Sequence, residues 1–195
     1  GAAAIDWSGY TVLPGLIDLH THLADGAIDP DESDPAAPLK HSESDTILKG
    51  AKAASIELRS GFTPVRDVGV YRGLTDVALR DAINAGEVEG PRMFVAGAYI
   101  TITGGAGAMT GISPDVQLPW DLRFGEANSP WEVRQRVRAL VAQGVNVIKV
   151  LSSGAVLTHG SNKQAQEFTP EELTAAVEEA RSFGLKVAAH AHGAE

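Results

Sequence analysis

His20 and His22 stand two residues apart at the end of an apolar run that begins at Val12. Side chains alternate along a strand, so both rings leave one face, roughly 6.6 Å apart along the chain, and both can turn toward one cation. Asp18 leaves the same face one layer deeper, where its carboxylate can accept a hydrogen bond from a liganding imidazole and fix its tautomer. His190 and His192 repeat the spacing at the end of a second apolar run. An isolated His-x-His reads as two solvated side chains at a strand end. Two such pairs in a chain with six histidines point to a metal centre. Lys149 lies within Val145–Leu151, on the face it shares with Val147 and Leu151. A lone ammonium is costly in a strand covered on both sides. Desolvation lowers its pKa, and a neutral amine can add carbon dioxide to give a carbamate, a bidentate carboxylate able to bridge two metals. The alternative is a lysine whose ammonium snorkels to solvent or to a carboxylate. His41 and His159 fall in expected loops and read as solvent-exposed.

These residues need elements that bring them together. Short apolar runs at 12–20, 62–67, 92–100, 145–151 and 186–192 read as five strands, and four segments of helical period lie between them. Ser129-Pro130-Trp131-Glu132 and Thr169-Pro170-Glu171-Glu172 have the form of capping boxes with Pro at the first helical position, and Gly144 and Gly184 sit where C-caps belong. In the last helix Leu173, Val177, Ala180 and Phe183 form an apolar stripe suited to a sheet. Two earlier helices are expected over about 45–59, with Ile47, Ala51, Ala54 and Leu58 on one face, and over about 74–85. Strand and helix in strict alternation imply parallel strands with right-handed crossovers, an α/β fold. A barrel gathers functional side chains at the C-terminal ends of several strands, whereas an open flavodoxin-like sheet concentrates them at a switch point. Here they fall at the ends of the first, second, fourth and fifth strands.

With those residues in place the chain resembles the amidohydrolase superfamily of metal-dependent hydrolases. The resemblance rests on Pro14-Gly15-Leu16-Ile17-Asp18-Leu19-His20-Thr21-His22, Val147-Ile148-Lys149-Val150 and Val187-Ala188-Ala189-His190-Ala191-His192-Gly193, in that order on successive strands. The stretches 61–69, 90–92 and 103–105 resemble the branch of imidazolonepropionase-like proteins, Xaa-Pro dipeptidases and related carboxypeptidases. The resemblance implies a parallel (β/α)8 TIM barrel, of which this chain holds about the first five strands and four helices. It implies residues 1–11 as the end of a preceding small β-domain or a linker, and 12–195 as the N-terminal part of the barrel. It implies two divalent ions, Zn²⁺ by preference. His20 and His22 would sit on the first, Lys149 as a carbon dioxide-derived carbamate on both, and His190 on the second. His192 and Arg66 would face substrate, and Asp18 would stand behind the ligands. His190 is preferred over His192 because the family's fifth-strand ligand is the first histidine of its motif.

The implied reaction is hydrolysis of an amide bond in a small peptide-like substrate such as a dipeptide or N-acyl amino acid, by metal-activated water. The family's proton-carrying Asp on the eighth strand and its sixth-strand His fall outside this sequence. The chain is therefore expected to be a piece of a longer protein that works with the remaining half of the barrel, as a homo-oligomer when complete. A phosphotriesterase or lactonase on the same binuclear site is the alternative chemistry. From another class, a catalytically silent half-barrel is the alternative role. Deaminases of the superfamily generally use one metal and no bridging lysine, so Lys149 disfavours them. Relatives often carry His where this chain has Ala106, which removes a substrate contact.

Composition sets the outer bounds. The chain has 195 residues, 16 Lys+Arg against 25 Asp+Glu and a formal charge of −9, which argues against nucleic acid or an anionic membrane as partner. No cysteine is present, so disulfides, thiolate nucleophiles and Cys-ligated metals are excluded, and the compartment, cytoplasmic or secreted, stays open. The charge-free stretch Met93–Pro114 is too rich in Gly and Thr to span a bilayer. Its Gly104–Gly111 segment matches neither a Walker loop nor a dinucleotide fingerprint and is expected to be a mobile loop over the site. The acidic residues Asp25, Asp29, Asp31, Glu32 and Asp34 lack EF-hand spacing and read as a solvated loop. No Gly-x-Ser-x-Gly elbow is present.

Overall fold

The structure, a computed structural model, describes residues 3–25, 36–156 and 158–193. Along them run β1 (Leu16–Thr21), α1 (Glu43–Arg59), β2 (Phe62–Asp67), α2 (Thr75–Asn84), β3 (Arg92–Val95) and β4 (Tyr99–Ile100). Then come α3 (Pro130–Ala142), β5 (Ile148–Leu151), α4 (Pro170–Ser182) and β6 (Val187–His190). All strand pairs are parallel, in two sheets of order β1-β2-β3 and β4-β5-β6. The acidic positions Asp29, Asp31, Glu32 and Asp34 lie outside the described residues.

The expected single strand over 92–100 is broken in two. Gly97 holds φ +80, and a Cβ there would stand 2.8 Å from Val145 and 2.9 Å from Leu140, so the kink needs glycine on both counts. The first half pairs with β2 and the second with β5, so one run of chain carries the arc from one sheet into the next. Asn146 bridges the seam, its amide N–H donating to the Val95 carbonyl at 2.8 Å while its side chain accepts from the Val95 N–H at 3.1 Å.

Local chemistry sets the helix starts. Thr169 and Glu172 close a reciprocal capping box on α4, and Ser42 and Asp45 close another on α1, which begins at Glu43, earlier than its apolar period indicates. At α3 Ser129 Oγ accepts the Glu132 N–H at 3.2 Å, but the Glu132 carboxylate takes the Asn128 N–H at 2.6 Å instead of returning to Ser129. That cap is therefore one-sided.

The main core lies between the strands and the helices, with Val65, Leu79, Val95, Ile100, Val137, Leu140, Ile148, Val150 and Ala180 all buried. Burying each such Val, Leu or Ile contributes about 1.5–3 kcal/mol before entropy is set against it. The stripe expected on α4 is rotated. Ala175, Ala176, Glu179 and Ala180 are buried while Val177 and Phe183 are 41% and 48% exposed. The cause is tertiary: Glu179 turns in to meet Arg134 at 3.2 Å and Arg138 at 2.6 Å on α3, and the helix turns with it. A smaller cluster, Tyr99, Ala106 and Leu151 with Tyr71 and Ala155 against it, occupies the opposite face of the strands.

Candidate metal centre

Tyr99 pairs with Lys149 and Leu151 pairs with His190, and paired residues in parallel strands share a face. Lys149 thus projects from the face that carries the smaller cluster, away from Ile148 and Val150 in the main core. It is 3% exposed, and no carboxylate stands within ion-pair distance of it among the described residues. Burial pushes its amine down to about 8, and the Arg66 guanidinium pushes the same way.

Three histidines sense that charge. His20 is held below its ordinary range first by desolvation and then by Lys149, His22 and Arg66. Desolvation lowers His22, with a further push from Lys149. His190 is lowered by desolvation, then by His192 and Lys149. All three imidazoles are therefore biased toward the neutral, ligand-competent form, drawn from the C-terminal ends of β1 and β6 toward one lysine. The His20 and His22 rings lie 5.1 Å apart and the His190 and His192 rings 4.4 Å apart, both edge to face. Among the described residues no three His, Asp or Glu side chains are closed around one point as a ready metal site. The donor set nevertheless suits a divalent ion: neutral imidazoles, a desolvated amine, and His190 Nε2, which is buried without a hydrogen-bond partner.

The tautomer of His22 follows from its neighbour. Its Nδ1 lies 2.9 Å from the Gly69 carbonyl, which can only accept, so Nδ1 carries the proton and Nε2 keeps its lone pair. Gly69 is required for this approach, with φ +111 and a would-be Cβ only 2.7 Å from the Tyr99 ring. Asp18 sits differently, its carboxylate accepting the His20 backbone N–H at 2.9 Å. Arg66 donates to the Leu19 carbonyl at 2.8 Å, which ties β2 to the end of β1. The His192 backbone N–H is held by Ser153 Oγ at 2.8 Å, and its side chain is exposed. His159 is exposed, whereas His41 is half-buried with its Nε2 2.9 Å from Lys49 Nζ.

The loop expected to be mobile is pinned at its middle. The Ala106 N–H donates to Glu167 at 2.8 Å, and the Ala106 carbonyl accepts from Tyr71 at 3.0 Å and Thr158 at 2.6 Å. Three separate loops thus grip the backbone of one residue on both sides, and the Ala106 methyl is buried in the small cluster.

The amidohydrolase family profile matches residues 11–195. The chain belongs to the amidohydrolase family. Its fold resembles that of a Xaa-Pro dipeptidase with methionine bound in the active site, at a TM-score of 0.81 and 38% identity over 93% of this chain and 44% of that one. Ochratoxinase from Aspergillus niger is 31% identical over 194 residues, 93% of this chain and 39% of that protein. The ochratoxinase crystal structure has a TM-score of 0.79 to this chain, with 30% identity over 92% of this chain and 43% of that one. A prolidase complexed with N-methylphosphonate-L-proline has a TM-score of 0.77, with 28% identity over 91% of this chain and 43% of that one. The chain spans less than half the length of these relatives.

Several buried or half-buried polar residues near this candidate site are not marked by sequence spacing. Asp25 accepts from the Tyr71 N–H at 2.6 Å and the Tyr99 hydroxyl at 2.8 Å. Burial raises its carboxyl to about 6. Glu167 is raised to about 7 by desolvation, and its Oε2 is buried without a partner. Asp67 is raised by burial and by the neighbouring charge of Asp76, with its Oδ1 likewise unpartnered. The run Gly61–Gly69 singles out Asp67 in part. Asp25, from the acidic run expected to be solvated, is held inward by Tyr71 and Tyr99, and Tyr99 and Glu167 belong to no motif.

Proposed function

We propose that these residues are the N-terminal part of the catalytic (β/α)8 barrel of a binuclear metal-dependent hydrolase that cuts an amide bond in a small peptide-like substrate. Residues 12–195 are the barrel portion in this reading, and 1–11 lead in from a preceding segment. The observation that carries it is Lys149: a buried amine with no carboxylate in ion-pair distance among the described residues, lowered to about 8, within electrostatic reach of His20, His22 and His190. Such an amine gains by becoming a carbamate, because a positive charge opposed by Arg66 is replaced by a negative one that bound cations would neutralise.

His20 and His22 would hold one divalent ion, Zn²⁺ by donor type, His190 the second, and the Lys149 carbamate both. Bound there, the ions would supply Lewis acidity and a water acidic enough to ionise near neutral pH. The chain's own residues do the rest. Gly69 fixes the His22 ring, the Ala106 peptide gripped by Tyr71, Thr158 and Glu167 gives the site a rigid wall, and His192 and Arg66 face the space a substrate would fill. Similarity to a Xaa-Pro dipeptidase, a prolidase holding a proline phosphonate and ochratoxinase supports an amide substrate ending in an amino acid.

The test uses the full-length protein. Metal analysis is expected to give about two equivalents, and a panel of dipeptides and N-acyl amino acids is expected to include substrates. Lys149→Ala should lose both metal and turnover. A Lys149→Ala protein that retains two equivalents of metal would overturn the reading.

A further inference from the structure

His22 has a second neighbour besides Gly69. The Tyr99 hydroxyl lies 3.0 Å from His22 Nδ1 and donates its own proton to Asp25 at 2.8 Å. A phenol has one proton to give. With that proton on Asp25, only the oxygen lone pairs face His22, so Tyr99 and the Gly69 carbonyl share the Nδ1–H as twin acceptors. Asp25 is fixed in turn by the Tyr71 N–H at 2.6 Å, and the Tyr71 and Tyr99 rings pack edge to face at 5.3 Å. Every member of the chain is buried or half-buried, so water does not readily replace a lost partner.

Resting on the metal-site reading above, we propose that Tyr99, oriented by Asp25, is a positioning residue that sets the tautomer and ring orientation of His22 and so the affinity of the metal it would hold. The direction of the chain matters. Gly69 alone would leave the ring free to tilt about a single hydrogen bond, whereas two acceptors, one from the segment after β2 and one from β4, fix its plane. Tyr99 stands on β4 beside Lys149, so the same strand pair orients ligands from both sides of the site.

The experiment is a chelator competition on the full-length zinc-loaded protein, comparing wild type with Tyr99→Phe and Asp25→Asn. Tyr99→Phe keeps the ring but removes the whole hydroxyl, the acceptor for His22 and the donor to Asp25 together, so the metal-stripped melting temperatures are measured alongside and zinc affinity is compared between folded proteins. The zinc affinity of Tyr99→Phe should fall 10- to 100-fold, the range found when such outer partners are removed. Asp25→Asn should weaken binding as well, because an amide N–H facing the phenol oxygen turns the phenolic proton toward His22 and favours the wrong tautomer. Chelator curves of Tyr99→Phe and Asp25→Asn that both superimpose on wild type would overturn the proposal while leaving the metal site standing. A wild-type protein that binds no divalent ion would remove both. If Tyr99→Phe fails to fold, the Asp25→Asn curve alone decides.

Discussion

His190 and His192 differ in a way their shared spacing does not reveal. His190 has a buried Nε2 with no partner and a lowered pKa, whereas the His192 side chain is exposed and only its backbone is tied, to Ser153. A buried unpartnered nitrogen is costly unless something fills its lone pair, so in the proposed metal centre His190 would take a metal and His192 would face substrate. His190→Ala in the full-length protein is expected to lose about one metal equivalent. His192→Ala should keep its metal and raise KM on the order of tenfold, the equivalent of one lost hydrogen bond to a charged group. Elemental analysis beside steady-state kinetics separates them, and reversed phenotypes would exchange the roles. Sequence marks both pairs and Lys149 because alternation in a strand is a local rule. It does not mark Tyr99 and Asp25, whose 2.8 Å contact spans 74 residues of chain and follows only from the completed fold.

Among the elements, the break between β3 and β4 is where the fold is most tightly stitched. Asp76, in the first turn of α2, takes the Val77 N–H at 2.8 Å, the Ala96 N–H at 3.2 Å and the Gly97 N–H at 2.8 Å. One carboxylate thus caps its own helix and satisfies the donors exposed by the kink. Asp76→Ala would strand these buried donors at about 1–3 kcal/mol each, so a loss of at least about 3 kcal/mol is expected in full-length denaturation. Burial raises the Asp76 carboxyl to about 6 despite those hydrogen bonds. Its folded pKa lies above its unfolded one, so the native state binds the extra proton between about pH 4 and 6 and stability falls as pH rises through that window. Wild type should therefore exceed Asp76→Asn in melting temperature most near pH 4, with the gap narrowing from about pH 4 to 6 and level above that. A gap that widens with pH would refute the assignment. The apolar run Arg92–Ile100 gives no sign of this break, because what forces it is the approach of Val145 and Leu140 to Gly97 from another strand and helix. The Thr169 cap was legible because its partners lie three residues apart, while the rotation of α4 was not, since its cause is the pair of arginines on α3.

Over the whole molecule, the strands form an arc with two unpaired edges among the described residues, β1 on one side and β6 on the other. Leu16, Ile17 and Leu19 on β1 are 55%, 61% and 57% exposed, and Val12 and Leu13 just before it are more so. Phe183 at the end of α4 is exposed toward the other flank. An edge strand of this kind presents free N–H and C=O groups beside apolar side chains, a template for pairing with any other strand. The polar blocks that natural edges use are few here, since Asp18 alone interrupts the apolar stretch Leu16–Leu19 before His20 and Thr21. In the full-length protein proposed above, further strands would cover both edges, as the greater length of the relatives allows. Residues 12–195 produced alone should accordingly self-associate, bind a hydrophobic dye and elute broadly on size exclusion. Coexpression with the rest of the protein should suppress all three. A sharp monomer peak from residues 12–195 with a cooperative melt would mean that the arc is stable without closure, and the barrel assignment would then have to rest on the metal site alone.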